Sequence, residues 1–303
     1  MMTAFSRWRV GAVLLFVAAA LTGGWYYLRE PDNPLTSFLP AGERTLVYAD
    51  VEGLRRSGLL ALIAGSKAAE EPEYKDFVSQ THFDYRNNLD ALAASFSGND
   101  VYFALRGRFD WAALSRYAAA HGGGCVKGFC RMQGSRPERH ISFYAVTPRV
   151  LALAISANDS AASLISRATA QAAPAPATFP TEPVWMIVPA PALAQMQPLP
   201  AGTRAFASAL ANSEKMVFAI GPRDQRLEVS VRVMCRDAET ATALLIQLEE
   251  TTATLRTWLA REHQTPNPRD LSGVLTAGTF RREDGSVFGV WPIERAFVEA
   301  LVN

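Results

Sequence analysis

A run of nineteen residues without a charged side chain, residues 10–28, places the strongest constraint on this chain. As a helix the run reaches about 28 Å, close to the roughly 30 Å hydrocarbon core of a bilayer. Arg7 and Arg9 precede the run, acidic residues follow Arg29, and positive charge favours the cytoplasmic side. The sequence therefore predicts a cytoplasmic tip at residues 1–9 and a single-pass transmembrane anchor at residues 10–28. This anchor contacts membrane lipid and leaves the bulk of the chain outside the cytoplasmic membrane.

A cleaved signal peptide is the alternative interpretation of the same segment. Residues 18–20, all alanine, would form the small-residue cleavage region. The apolar run continues past them into the aromatic residues 25–27, which favours an uncleaved anchor with an interfacial aromatic belt. The sequence leaves this choice open. Both interpretations place the following residues outside the cytoplasm, in the periplasm if the cell is Gram-negative.

The composition is that of a folded protein. Hydrophobic residues make up 49% of the chain and the net charge is +1, which excludes an intrinsically disordered protein. The same charge gives no electrostatic basis for binding nucleic acid. The motifs of serine hydrolases, phosphate-binding loops and dinucleotide-binding folds are missing, and the four histidines lack metal-ligand spacing. We therefore predict no catalytic residue, no metal ligand and no cofactor.

Proline-rich segments divide the rest of the chain. Residues 29–44 contain three prolines and are predicted to form a stalk, and residues 170–182 form a linker of proline and alanine. The predicted domains are residues 45–169 and residues 183–303, each close to the usual size of a domain.

One unit recurs in both predicted domains: two short apolar runs joined by a turn, then a stretch compatible with a helix. The three paired runs are residues 139–146 with 149–155, residues 215–221 with 226–235, and residues 274–282 with 286–291. Three such units predict an α+β fold of antiparallel sheets with helices packed on one face. Each half can also be divided into strands and helices in the order of a ferredoxin-like sandwich, so we expect two such sandwiches, and an internal duplication stays open.

A disulfide between Cys125 and Cys130 is predicted from a hairpin whose turn is Lys127-Gly128. That turn places the two cysteines opposite each other, at a separation within disulfide range. Such a bridge would persist outside the cytoplasm. Two unlinked thiols are the alternative.

Charge is distributed unevenly along the chain. Residues 30–104 hold twelve acidic and six basic side chains, net −6, whereas residues 105–150 hold eight basic and two acidic ones, net +6. One interpretation is a surface that contacts anionic lipid or polymer. Its candidate residues are Arg106, Arg108, Arg131, Arg136 and Arg139. The favoured alternative is that the two segments pack together and neutralise each other.

Residues 38–50, FLPAGERTLVYAD, followed by residues 51–54, VEGL, resemble the opening of an uncharacterised family of bacterial membrane-anchored extracytoplasmic proteins. In that family a Leu-Pro-Ala element after the anchor leads into a strand and then a helix. The resemblance covers about 30 residues and implies a location in the cell envelope. It transfers no functional residue.

These observations favour a membrane-anchored extracytoplasmic protein that acts through protein or cell-envelope contacts, with an envelope protein as its partner. An envelope enzyme of hydrolase type and an extracytoplasmic ligand-binding module are the alternatives.

Overall fold

A computed structural model describes residues 35–63, 71–166, 180–193, 213–223 and 226–302. The predicted cytoplasmic tip, the predicted anchor at residues 10–28 and most of the predicted linker lie outside these residues. Within the described ranges, no helix is both long enough and apolar enough to span a membrane.

Twelve described strands form a single antiparallel sheet, in the order β11-β12-β10-β9-β8-β1-β2-β3-β7-β6-β5-β4. The strands are β1 (Thr45–Ala49), β2 (Leu89–Ser97), β3 (Asp100–Gly107), β4 (Gly124–Val126), β5 (Phe129–Gln133), β6 (His140–Thr147), β7 (Val150–Ser156), β8 (Val184–Pro189), β9 (Lys215–Arg223), β10 (Arg226–Met234), β11 (Thr279–Glu283) and β12 (Ser286–Ile293).

Helices connect and cover these strands. The α-helices are α1 (Val51–Arg56), α2 (Leu59–Ile63), α3 (Pro72–Thr81), α4 (Tyr85–Asn88), α5 (Trp111–Ala120), α6 (Ala190–Leu193), α7 (Ala238–Arg261), α8 (Leu271–Thr276) and α9 (Arg295–Val302). Two short 3-10 helices are η1 (Leu35–Phe38) and η2 (Ala161–Leu164). The predicted α+β fold with antiparallel strands is confirmed.

Aspartate side chains begin five of the described helices. Asp50, Asp84, Asp110, Asp237 and Asp270 each accept a hydrogen bond from a backbone N–H two or three residues further on. An N-terminal turn leaves such N–H groups without a partner inside the helix, so a short acidic side chain stabilises the start of the helix. Local sequence therefore fixes where these helices begin.

The register of the strands shows that α3, α5, α7 and α8 pack on the same face of the sheet, which we call the helix face. Phe218 on β9 packs in the cluster under α7 and lies opposite Met186 of β8, which lies opposite Val47 of β1. Through Ala94 of β2 the same face continues to Leu153 of β7, which packs in the cluster under α3 and α5. Side chains directly opposite each other share a face.

In the first half of the chain, small residues form the other face of the sheet. Ala93, Ala104 and Ala152 are fully buried there and pack in one cluster with η1 and η2. Alanine lets these short 3-10 helices approach the sheet closely. Leu35 and Phe38 of η1 are buried in this cluster, so the part of the predicted stalk that the structure describes contributes to the core.

The three predicted hairpins are present as β6–β7, β9–β10 and β11–β12. The prediction of ferredoxin-like sandwiches is wrong for the second half. That arrangement separates the first two strands of its unit with another strand, whereas β8 pairs directly with β9. The result is a meander from β8 to β10.

The sheet continues from the first predicted domain into the second. β1 lies between β2 and β8, with Tyr48 opposite both Ala93 and Trp185. The rings of Tyr48 and Trp185 stack at 5.4 Å. Residues Leu35–Asn303 form one compact unit, so the two halves share hydrogen bonds as well as a core.

Candidate functional site

An apolar cavity lies on the helix face of the second half, between the sheet and the helices α7 and α8. Strand alternation directs Val229, Val231 and Val233 of β10 towards these helices, and Leu248 of α7 faces them. The 24-residue α7 spans this part of the sheet, whereas α8 has only six residues. Because α8 is so short, it covers the sheet incompletely beside α7.

The cavity has a volume of about 400 Å³, within the range of small-molecule sites. The part of its lining that the structure describes consists of apolar residues: Phe218, Val229, Val231, Val233, Leu248, Leu271, Val274, Leu275, Val287, Gly289 and Trp291. A cavity without polar groups holds water poorly, because a buried water needs two to four hydrogen-bond partners. The lining therefore suits an apolar occupant.

The indole ring of Trp291 forms one wall, and two glycines make room for it. A Cβ at Gly289 would lie 2.7 Å from Cη2 of the ring, and a Cβ at Gly278 would lie 2.5 Å from its Nε1. The ring meets Phe280 edge-on, with their centroids 5.4 Å apart. Glycine at both positions is thus required for the ring to occupy this position.

Leu271 marks the opening of the cavity. This residue begins α8, lines the cavity and is 43% exposed to solvent. By contrast, Val233 and Val287 at the bottom are almost fully buried. The lining therefore extends from a solvent-exposed residue of α8 to buried residues of the sheet.

A second cavity of about 320 Å³ lies beside the first, and Val274 of α8 lines both. Its lining combines apolar and charged residues: Arg256, Pro266, Pro268, Gly273, Val274, Thr276, Ala277, Pro292 and Glu294. The helix α8 thus has open space on two sides, one apolar and one bordered by charge.

Two charged side chains define the electrostatics of the second cavity. Arg256 donates from Nε to the carbonyl oxygen of Thr276 at 2.9 Å, and also from Nη2 to the same oxygen. Glu294 pairs with Arg226 at 3.3 Å. Among the described residues no carboxylate lies within 4.0 Å of the Arg256 guanidinium, and its acceptor is a neutral carbonyl. Glu294, by contrast, already has a cationic partner.

The structure joins Cys125 and Cys130 in a disulfide between β4 and β5. The two cysteines lie directly opposite each other, with Val126 opposite Phe129. Lys127 and Gly128 both have positive φ, as the tight hairpin turn requires. The bridge lies at the sheet edge formed by β4, at the opposite end of the strand order from the apolar cavity.

The five arginines of the predicted anionic surface lie in two places. Arg106 on β3 lies opposite Val150 at the start of β7, and Arg108 follows on the same segment. Arg139 donates to the carbonyl of Ile155 near the end of β7, at 3.4 Å. Five residues of strand separate these positions by about 17 Å.

The other arginines of this set lie on or after β5, on the side of Arg139. Arg131 is paired with Asp159 at 3.5 Å and donates to Ser160 at 3.1 Å. Arg136 is exposed in the loop after β5. Arg139 also donates to the carbonyl of Asn99 at 2.6 Å, which ties this loop to the turn between β2 and β3.

Part of the basic segment is neutralised by the acidic one. Arg149 contacts Asp90 at 2.6 Å, and Asp90 is buried. Arg108 donates to the carbonyl of Asn87. The ion pair neutralises one charge of each segment, whereas the carbonyl of Asn87 leaves the charge of Arg108 in place.

Sequence reasoning did not identify the apolar cavity. The alternation of Val229, Val231 and Val233 is visible in the sequence, but it indicates only a strand with one buried face. Gly278 and Gly289, which accommodate Trp291, are the signal that could have indicated an aromatic wall. The predicted run at residues 274–282 is wrong for residues 274–276, because these form the end of α8.

No family model matches this chain, and no curated protein is similar to it in sequence. Among solved structures, crystal form I of TP0453 is similar with a TM-score of 0.48 and 10% identity, over 88% of this chain and 96% of that one. Crystal form III of TP0453 gives a TM-score of 0.47 and 10% identity, over 88% and 95%.

Proposed function

We propose that this protein is an extracytoplasmic binding module for an apolar ligand, held at the cytoplasmic membrane by residues 10–28. The single observation that carries the binding function is the cavity of about 400 Å³ with its uniformly apolar lining. Binding sites of this kind are concave and mainly hydrophobic. The proposal selects the ligand-binding module among the functions that the sequence allows.

The size of the cavity sets the size of the ligand. At about 30 Å³ for each water-sized group, 400 Å³ holds roughly thirteen chain atoms. Twelve buried methylenes contribute about 10 kcal/mol, of which about 4 kcal/mol or more is lost on association. At most about 6 kcal/mol of binding free energy remains, which corresponds to a dissociation constant of tens of micromolar or weaker.

The proposed location rests on sequence features alone. They are the uncharged run at residues 10–28, the arginines before it, and the envelope-family resemblance of residues 38–54. A periplasmic reporter enzyme fused after Asn303 should be active, and a cytoplasmic reporter at the same position inactive. The opposite result would contradict the location and the anchor, while leaving the cavity to be tested separately.

Photolabelling of the full chain in lipid nanodiscs tests the binding function. The probe is a single-chain alkyl diazirine of about twelve carbons, chosen because the cavity holds roughly thirteen chain atoms. We expect labelled peptides to include β10, α7 and α8. Labelling confined to other segments would contradict the proposal.

A pair of matched variants sharpens this experiment. Val231→Phe places a ring in the cavity, because Val231 lines it and is 5% exposed. Val126→Phe makes the same change at a position that is 66% exposed, at the end of β4 just before the turn of the disulfide hairpin. We expect Val231→Phe to abolish labelling of the cavity peptides and Val126→Phe to leave it unchanged.

A further inference from the structure

We infer that the ligand is a single-chain amphiphile with an anionic head, carboxylate or phosphate, and that Arg256 pairs with this head. The inference rests on the proposed function and specifies the ligand class of the same site. The apolar tail occupies the cavity above β10 and β12, and the head occupies the second cavity beside α8.

The arrangement of the two cavities supports a ligand of two chemical parts. Val274 lines both, so a chain that fills the first cavity reaches the second by passing one residue of α8. The first lining is apolar throughout, whereas Arg256 and Glu294 border the second. A purely apolar ligand would fill only the first cavity.

The sign of the head follows from the charges at the second cavity. The guanidinium of Arg256 has five N–H donors and uses two of its nitrogens on the carbonyl of Thr276. A carbonyl oxygen accepts these bonds without neutralising the charge. Arg226 already balances Glu294 at 3.3 Å. Among the residues that the structure describes, the net charge facing the space is therefore positive, and a planar guanidinium suits carboxylate and phosphate in particular.

A competition series at constant chain length tests the head group. Dodecanoate, dodecyl phosphate, dodecanol and dodecyltrimethylammonium compete with the alkyl diazirine for the full chain in nanodiscs. Because Arg256 is exposed and its charge is screened, we expect the anions to compete about five- to tenfold better than dodecanol. The cation should compete worst. A difference between the carboxylate and the phosphate identifies which of these heads the site prefers.

Variants of Arg256 assign the effect to its charge. Arg256→Gln should bring both anions to within about twofold of dodecanol and leave dodecanol unchanged, and Arg256→Lys should retain part of the preference. Arg261→Gln, a neutralisation at an exposed position on the same helix, is the control and should change nothing.

The outcomes separate the inference from the proposed function. If all four probes compete equally well, the anionic head is refuted and the apolar site stands. If Arg256→Gln weakens every probe equally, Arg256 has only a structural role and the inference is refuted. If none of the probes displaces the label, the proposed function itself fails.

Discussion

Substitution of Thr252 on α7 can show whether the contact between this helix and the sheet is dry, that is, whether it excludes water. The residue is 3% exposed, and its hydroxyl oxygen has no hydrogen-bond partner among the described residues. Leu248, one turn earlier, lines the apolar cavity, and Arg256, one turn later, lines the second cavity. Thr252 therefore lies between the two proposed parts of the site.

Replacing Thr252 with valine removes the buried hydroxyl and keeps the branched shape of the side chain. A buried polar group without a partner costs about 1–3 kcal/mol, and valine and threonine have similar helix propensities. We expect Thr252→Val to stabilise the protein by about 1.5 kcal/mol. In a unit as large as residues 35–303 this raises Tm by about 3 °C.

Thermal unfolding of the full chain, followed by circular dichroism, measures this change. Thr251→Val is the matched control, because the hydroxyl of Thr251 donates to the carbonyl of Gln247 at 2.7 Å on the outer side of the helix. That variant should shift Tm by less than about 1 °C. If Thr252→Val lowers Tm, a water or a ligand atom satisfies the hydroxyl and the dry contact is refuted.

Three further outcomes follow from other contacts. Reduction and alkylation should change the intact mass as expected for one disulfide. Replacing Cys125 and Cys130 by serine should lower the unfolding free energy, measured in urea, by about 2 kcal/mol. This value is at the low end for disulfides because the loop that the bridge closes is short. Asp90→Asn should cost about 1 kcal/mol, because the Arg149 side chain is 58% exposed and rehydrates when its partner is lost; added salt should reduce the difference. The hydrogen bond from a backbone N–H lowers the pKa of Asp237 in the folded protein. The charged Asp237 therefore stabilises the folded protein above its unfolded pKa, and this stabilisation is lost as the pH falls through its folded pKa. An Asp237→Asn variant lacks this titrating group. Its Tm should therefore fall less than the wild-type Tm when the pH is lowered below about 4.

The elements that sequence predicts well are those fixed by local signals. Asp237 caps α7 where a polar residue precedes a long amphipathic stretch, and the turn Lys127-Gly128 sets the register of the disulfide hairpin. In both places one or two residues determine the backbone, so no distant contact is needed to predict it.

The element that creates the candidate site was predicted wrongly. Residues 274–282 contain valine, leucine and threonine in a short apolar run and were assigned to a strand, whereas α8 ends at Thr276 and β11 begins at Thr279. A helix of six residues is too short to show helical periodicity. Its signal is the Asp270 cap, whose carboxylate accepts from the N–H of Ser272.

The position of β8 beside β1 and the cavity itself depend on contacts between distant residues. Strand alternation assigns Val231 to a buried face, but it does not tell whether the covering helix reaches that face. The hydrogen bond of Arg256 cannot be predicted from local sequence either, because its acceptor, the carbonyl of Thr276, is twenty residues away. Sequence patterns show which face of a strand is buried and where a helix is capped. Whether a helix covers that face of the sheet depends on how the whole chain packs.

The apolar cavity should make stability and binding change in opposite directions. An empty cavity lowers stability, and cavity-filling substitutions commonly add about 0.5–2 kcal/mol to small proteins. Val231→Phe should therefore raise the unfolding free energy of the unliganded full chain by about 1 kcal/mol while abolishing photolabelling of the cavity. Val126→Phe, at its exposed position, should alter neither quantity. A loss of both stability and labelling in Val231→Phe would mean that the ring disrupts a packed core, and the cavity would then not be a binding site.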